Sequence, residues 1–383
     1  MAAPRRSRTV PAVWPRHSRG APLAAIALLL AGCSVAATPD SPTVPGILQA
    51  TAGPVGYVVC PDALTPIELR SRLSEPPIPL PVSGTPPLGD YAVAVTPDGR
   101  RAFVVTQSTP PGGVTSNVLI PVDLATGHAG TPIVLPGHGA SGAVVVMHDG
   151  RTVLAASGNA IVPVDVATGA VGQPLDLGAG RTVSGMALSP TTDVLYVLVP
   201  DGVVPVDTAT ATAGTPIATG LTVSSVSSPH GLVVSPDGAT LWVAGQGPPD
   251  FGGRVVPVST ATGAVGTATS FDAFGITDPA ALAVTPDGSK LLVADSADNW
   301  IVTVLTADPA TPLSPVRLPT GSGTASASGA DHPTDVVASP DSAGAFVVTG
   351  LGTVLPYRPE NRTYGAPIRV CPGATSMAVS VPT

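Results

Sequence analysis

Proton transfer and metal binding near neutral pH draw on histidine, cysteine and carboxylate side chains. This 383-residue chain has six His, three Cys and 25 Asp and Glu to offer. His138, His230, Asp278, His332 and Asp335 stand shortly before apolar segments of similar pattern, so a repeated structure would carry them to one end. Such a set could ligate a metal or supply general acid and base groups. It reads equally well as solvated residues capping exposed amides where strands begin. There is no HExxH, GxSxG or CxxC and no phosphate-binding glycine loop, so no metal and no cofactor is expected. A second set of acids, Asp98, Asp149, Asp237, Asp287 and Asp341, recurs one per repeat inside turns. These are expected at the outer edges of the repeats, too far apart to act as a catalytic pair.

The elements that would position these groups follow from three landmarks. The first is a turn after an apolar strand, as in Thr96-Pro97-Asp98-Gly99, Ser235-Pro236-Asp237-Gly238 and Thr285-Pro286-Asp287-Gly288. Proline presets φ, Asp bonds its own backbone and Gly accepts positive φ, so each turn closes a hairpin. The second is the strand that follows, opening on a bulky residue: Phe103, Leu154, Tyr196, Trp242, Leu292, Phe346 and, before the first turn, Tyr57. The third is a V-x-P-V-D strand ending in a turn, at Pro121-Val122-Asp123, Pro163-Val164-Asp165 and Pro205-Val206-Asp207, with a variant at Pro257-Val258-Ser259. A short fourth strand comes next, as in Thr131-Pro132-Ile133-Val134-Leu135. The unit recurs every 42 to 54 residues or so, the period of a four-stranded β-propeller blade. The composition agrees: 44% hydrophobic, 11% charged, 43 Gly and 46 Pro suit short strands joined by tight turns.

Six complete units begin near Tyr91, Gly142, Met186, Leu232, Leu282 and Val336. Three strands are left over at the N-terminal side, within residues 55–60, 64–69 and 77–80, and one at the C-terminal side, 376–380. Together they make a seventh blade. The expected fold is all-β: a seven-bladed propeller of four-stranded blades, with the C-terminal strand joining the N-terminal ones to close the ring. Residues 1–32, 33–52 and 53–383 are expected to be a leader, a flexible tether and a single propeller domain. Strands such as Phe103-Val104-Val105-Thr106 and Phe346-Val347-Val348-Thr349, framed by S/T-P-D-G and V-x-P-V-D-x-A-T-G, resemble the YVTN-type, YncE-like propeller repeat of bacterial extracytoplasmic proteins. The resemblance covers residues 55–383 and implies a secreted or surface propeller. It carries no catalytic assignment, because the motif residues form turns and packing. The sequence departs from the pattern at Leu154 and Leu292, at Met147-His148 and at Thr192.

Arg5, Arg6, Arg8, Arg16 and Arg19 precede an apolar run at 23–31 that is too short to span a bilayer, the pattern of a signal peptide. It ends in Leu30-Ala31-Gly32-Cys33, which resembles a bacterial lipobox and implies a lipoprotein with its lipid on Cys33. An ordinary secretory signal with an incidental cysteine is the alternative. The lipobox reading anchors the chain to the outer face of the cytoplasmic membrane, with the Ser/Thr/Pro-rich segment after Cys33 as tether. Removing the five leader arginines takes the formal net charge from −8 to −13. An acidic body is a poor partner for polyanions, so nucleic acid is not expected.

In propeller topology the two-to-three and four-to-one connections share one rim. Cys60 and Cys371 both fall there, in the composite blade, and are expected to form a disulfide that staples the ring shut; free thiols or a metal site are the alternatives. Connection lengths vary most on this rim, at 107–117, 246–254, 270–278 and 321–332. Variable loops on a rigid scaffold are where binding residues concentrate. Asp250, Phe251, Arg254, Asp298, Asn299 and Trp300 are the candidates from two-to-three loops, and His138, His230, Asp278, His332 and Asp335 from the approaches to first strands. The resulting expectation is a monomeric, membrane-anchored module that binds a protein or cell-envelope component. A propeller hydrolase or lactonase with a polar channel site is the alternative.

Overall fold

The computed structural model describes residues 53–83, 91–109, 111–137, 139, 142–223, 231–248, 252–319 and 332–381. They form seven antiparallel sheets, each one blade. Blade 1 is composite: its inner strand is Ser376–Ser380, followed outward by Val55–Val59, Ala63–Glu68 and the short Ile78–Pro79. Blades 2 to 7 start on the inner strands Ala92–Val95, Val144–Val146, Gly185–Leu188, Leu232–Val234, Pro279–Val284 and Pro333–Ala338. Each inner strand touches that of the next blade all the way round, which closes the ring. Closure rests on the ladder from Val55↔Ser380 to Val59↔Ser376. Among the described residues helix is limited to a single 3-10 turn, Asp272–Phe274, and no helix there is long and apolar enough to cross a membrane.

Packing explains the repeat. In six blades the bulky residue opening the second strand pairs across the ladder with the third-strand proline, at Tyr57↔Pro66, Phe103↔Pro121, Leu154↔Pro163, Tyr196↔Pro205, Trp242↔Pro257 and Phe346↔Pro356; in blade 6 Leu292 faces Thr303. Its side chain then enters the apolar layer shared with the next blade. Tyr196 packs with Leu232 and Leu241, Trp242 with Leu282 and Leu291, and Phe346 with Val58 and Met377. A buried aromatic removes 150–250 Å² or so from water, so these side chains dominate each seam. Blade 6 has Leu292 instead, and blade 7 supplies the missing ring: Tyr357, 1% exposed, packs there with the Tyr364 ring tilted against it at 5.1 Å. At Leu154 the corresponding third-strand position of blade 4 is Val206. A cleft of about 430 Å³ remains, lined by Leu154, Ile161, Leu175, Leu195 and Val206.

The turns between first and second strands are held by their own polar groups. Thr96 Oγ1 donates to Asp98 at 2.6 Å and the Arg100 amide donates to the same oxygen at 3.0 Å. Ser235–Asp237, Thr285–Asp287 and Ser339–Asp341 repeat the arrangement. These bonds hold the four carboxyls below the usual range, Asp287 at about 2. Because the turns join the innermost strand to its neighbour, the acids sit toward the inner part of the rim, where the outer edge was expected. Adjacent turns touch: the Asp287 amide donates to Ser342 Oγ at 3.0 Å, and His148 Nε2 donates to the Ser189 carbonyl at 2.7 Å.

Candidate functional site

The two rims differ in kind. One, the turn rim, carries the stereotyped turns and both ends of the propeller chain, at Gly53–Pro54 and Ser380–Val381. The other, the loop rim, carries the two-to-three and four-to-one connections. Here Cys60, directly after Val55–Val59, is bonded to Cys371, with Cα atoms 5.9 Å apart and 311 residues between them in sequence. The Cys60 amide donates to the Ala63 carbonyl and the Thr375 amide to the Val59 carbonyl. The connection arriving from blade 7 is thereby pinned to blade 1 at the point where its inner strand begins.

In two loops expected from the sequence, at 107–117 and 246–254, the flanking residues continue the strands. In blade 2, Arg101–Ser108 and Ser116–Asp123 stay paired out to Ser108↔Ser116. In blade 5, Thr240–Gly247 and Gly252–Ser259 stay paired out to Gly247↔Gly252. Each strand has eight residues, against five or six for the corresponding strands of the other blades. Both hairpins therefore extend further along the loop rim. Thr109 and Thr115 hydroxyls meet at 2.7 Å across the blade 2 tip, beyond which Val114 is 76% exposed.

Blade 6 gathers the carboxylates. Asp295 ends Lys290–Asp295 with no exposed surface, and its two oxygens accept the amides of Asp278 and Asp298, each at 2.8 Å. Burial, reinforced by the charges of Asp298 and Asp278, pushes its carboxyl up to about 6 despite those amides. Asp278 accepts the Ser296 hydroxyl at 2.6 Å, and Asp298 the Thr277 hydroxyl at 3.3 Å. Asn299 closes the turn with φ 63°, a conformation Asn tolerates better than most residues. Trp300 lies half-buried with the Arg317 guanidinium 5.3 Å over its ring. The sequence reading named Asp278, Asp298 and Trp300 and missed Asp295. Its signal was an acid closing a strand where other blades carry Thr106, Ser157 or Thr349.

The remaining candidates are engaged locally. Arg254 is 6% exposed and its guanidinium grips Asp272 with both terminal nitrogens, which lowers the Asp272 carboxyl. Asp335, without exposed surface, accepts the amides of Val336 at 2.7 Å and Met377 at 2.9 Å, tying blade 7 to the closing strand. His332 is exposed and its carbonyl accepts the Gly350 amide at 3.0 Å. His138, His230, Asp250 and Phe251 lie outside the described residues, as does Cys33. Thus Asp278 and Trp300 share the blade 6 edge, while Arg254 and Asp335 brace blade 5 and the seam between blades 7 and 1. Among the described residues no group of three or more His, Cys, Asp or Glu is placed to hold a metal ion.

No protein-family model matches the sequence, and a comparison with curated proteins finds no match. Solved structures do match in fold. Hydrazine synthase of Kuenenia stuttgartiensis aligns with a TM-score of 0.59 at 17% identity, over 85% of this chain and 99% of that one. A putative 6-phosphogluconolactonase from Bacteroides uniformis aligns at 0.62 and 13% identity, again over 85% and 99%. A chain of a nidogen/laminin complex aligns at 0.53 and 10% identity, over 86% and 100%. The chain is a seven-bladed β-propeller. At these identities the likeness is one of fold.

Proposed function

We propose that this propeller is an extracytoplasmic binding module, anchored to the membrane through a lipid on Cys33, that takes a protein or cell-envelope component at its loop rim. The supporting observation is the polarity of the fold. The extended hairpins of blades 2 and 5 stand on the rim opposite the point where residues 33–52 join the body, so a tethered propeller presents them away from its anchor. Rigid blades holding extended hairpins are the usual way a scaffold displays recognition residues. The YVTN-like repeat pattern accords with a surface role of this kind.

The test is site-specific photo-crosslinking in intact cells from Val114, at the blade 2 tip, and from Thr126, on the turn rim. Crosslinked partners should arise from Val114, and shortening of 109–115 should remove them. Equal yields from the two positions, or a partner set unchanged by the shortening, would overturn the proposal.

A second reading, hydrolysis of a lactone or related ester, draws on the Asp295 carboxyl at about 6 and on the fold shared with the putative 6-phosphogluconolactonase. Against it, Asp295 has no exposed surface and both its oxygens serve backbone amides. A lactone-hydrolysis rate above buffer that falls in Asp295→Asn would move the assignment to an enzyme.

A further inference from the structure

The turn rim holds a group of residues that recognition at the loop rim does not use. Where blades 7 and 1 meet there, a cleft of about 490 Å³ is lined by Pro54, Arg70, Arg72, Arg358 and Val381, among others. Beyond the leader the chain has only 12 Lys and Arg, so three arginines around one cleft run against its composition. Other cations are committed elsewhere: Arg181 to Asp201, Arg254 to Asp272 and Lys290 to Glu360. Among the described residues, Arg70, Arg72 and Arg358 are in no ion pair. Asp341, the single acid lining the cleft, spends its carboxylate on the Ser339 hydroxyl and the Ala343 amide of its own turn. Glu68 accepts the amides of Arg70 and Ser71 and lies within the field of the Arg70 charge without forming an ion pair with it, which leaves Arg72 and Arg358 as the cleft cations furthest from any carboxylate partner. Arg72 reaches across the seam, its guanidinium so close to Gly365 that a Cβ there would sit 2.9 Å away.

Two further features decide what such a cleft faces. Pro54 and Val381 belong to the two ends of the described propeller, so the described body begins at the edge of the cleft itself. Apolar side chains stand exposed beside the arginines, Leu73 at 62% and Val381 at 53%. A pocket for a free anion has no use for exposed apolar neighbours, whereas the interface of a bilayer takes cations and apolar groups together.

We infer that the Arg70–Arg72–Arg358 cleft docks the propeller on anionic phospholipid headgroups, laying the turn rim against the membrane and holding the loop rim outward. The inference rests on the reading of Cys33 as the anchor. On that reading only about 20 residues of chain separate the lipid from the body, a length that even as a random coil spans roughly 25 Å and keeps the cleft within reach of the leaflet. Each arginine near an anionic surface is worth about five-fold in binding and three together on the order of 100-fold, weakened by salt.

The test uses the mature chain from residue 33 with Cys33→Ser, so that no acyl group contributes, in co-sedimentation with vesicles at low salt. Vesicles of phosphatidylcholine with about 30 mol % phosphatidylglycerol should retain the protein, and pure phosphatidylcholine should not. Arg70→Gln/Arg72→Gln/Arg358→Gln should lower retention more than ten-fold or so with an unchanged urea midpoint, while Arg369→Gln leaves it intact. No preference for the anionic vesicles, or a triple variant that binds like the parent, overturns the docking. Displacement by inorganic phosphate at about 10 mM would assign the cleft to a soluble phosphate and overturn the membrane source. The mass of the Cys33 peptide from cells tests the anchor separately, so failure of one reading is distinguishable from failure of the other.

Discussion

Removing the Cys60–Cys371 bond by Cys60→Ser/Cys371→Ser tests the ring-staple argument quantitatively. The bond closes a loop of 311 residues, and loop-closure entropy for a loop of that length amounts to roughly 5 to 6 kcal/mol at 25 °C, nearly all of it exerted on the unfolded chain. Whole-domain stabilities run about 5 to 15 kcal/mol, so the loss should be plain in a urea titration as a lower midpoint. The variant should also open locally before it unfolds. Without the bond, Ser376–Ser380 is held by its ladder to Val55–Val59, by the Asp335 bond to the Met377 amide and by packing. Hydrogen exchange should therefore quicken at Met377 and along Val55–Val59 relative to the inner strands of blades 3 to 5. A stability difference below about 1 kcal/mol, with exchange at Met377 unchanged, would refute the reasoning, since the unfolded chain would then gain no freedom when the bond is lost.

Leu154→Phe restores the ring found at equivalent positions and should fill the cleft between blades 3 and 4, raising stability by about 1 kcal/mol. Leu292→Phe, where Tyr357 already occupies the space, should lower it by about 1 to 3 kcal/mol; thermal melts giving both changes the same sign would contradict the complementary packing. Asp295 should titrate near pH 6 by carboxyl carbon NMR. Its folded form binds a proton more tightly than the unfolded chain, so its contribution to stability falls as pH rises from the ordinary carboxylate range through about 6. The turn acids behave oppositely: their contribution is present above the ordinary carboxylate range and is lost as pH falls through their lowered values, about 2 for Asp287. A stability difference between the parent and Asp295→Asn that is constant from pH 4 to pH 7 or so would exclude the buried charge. Gly352→Ala sets a Cβ 2.4 Å from the Cys371 backbone at φ 89°, and should cost about 3 kcal/mol or more. Gly112→Ala, at φ 71° with nothing within 4 Å, should cost only about 1 kcal/mol in the same denaturation assay.

What could be read from the sequence was local or periodic. Proline-aspartate turns, bulky strand openings and third-strand prolines are specified within a few residues, and their repetition located the blades. The composite blade followed from counting strands, and the cysteine pair from asking which rim each strand end reaches. What escaped depends on contacts that no local pattern carries. Asp295 resembles any acid at a strand end, and its raised carboxyl comes from burial beside Asp278 and Asp298. The hairpin extensions hid in segments rich in Gly, Pro and Thr, whose composition says loop while cross-strand pairing says strand. The arginine cleft joins Arg70 and Arg72 to Arg358, near opposite ends of the chain. Arg254 looked like a ligand-binding side chain because its partner, Asp272, lies in the following connection.

The composite blade also sets an order on synthesis. Every blade from the second to the seventh can pair its strands as soon as its own residues exist, but the first cannot be finished until Ser376–Ser380 has been made. Until then Val55–Val59 presents an unpaired edge and the ring remains an open arc. Joining strands more than 300 residues apart is entropically slow, so closure should be the last event of folding. A chain cut short by even its final dozen residues loses the strand that completes the circle. The architecture thus proofreads its own synthesis, because only a polypeptide that includes Ser376–Ser380 can lock.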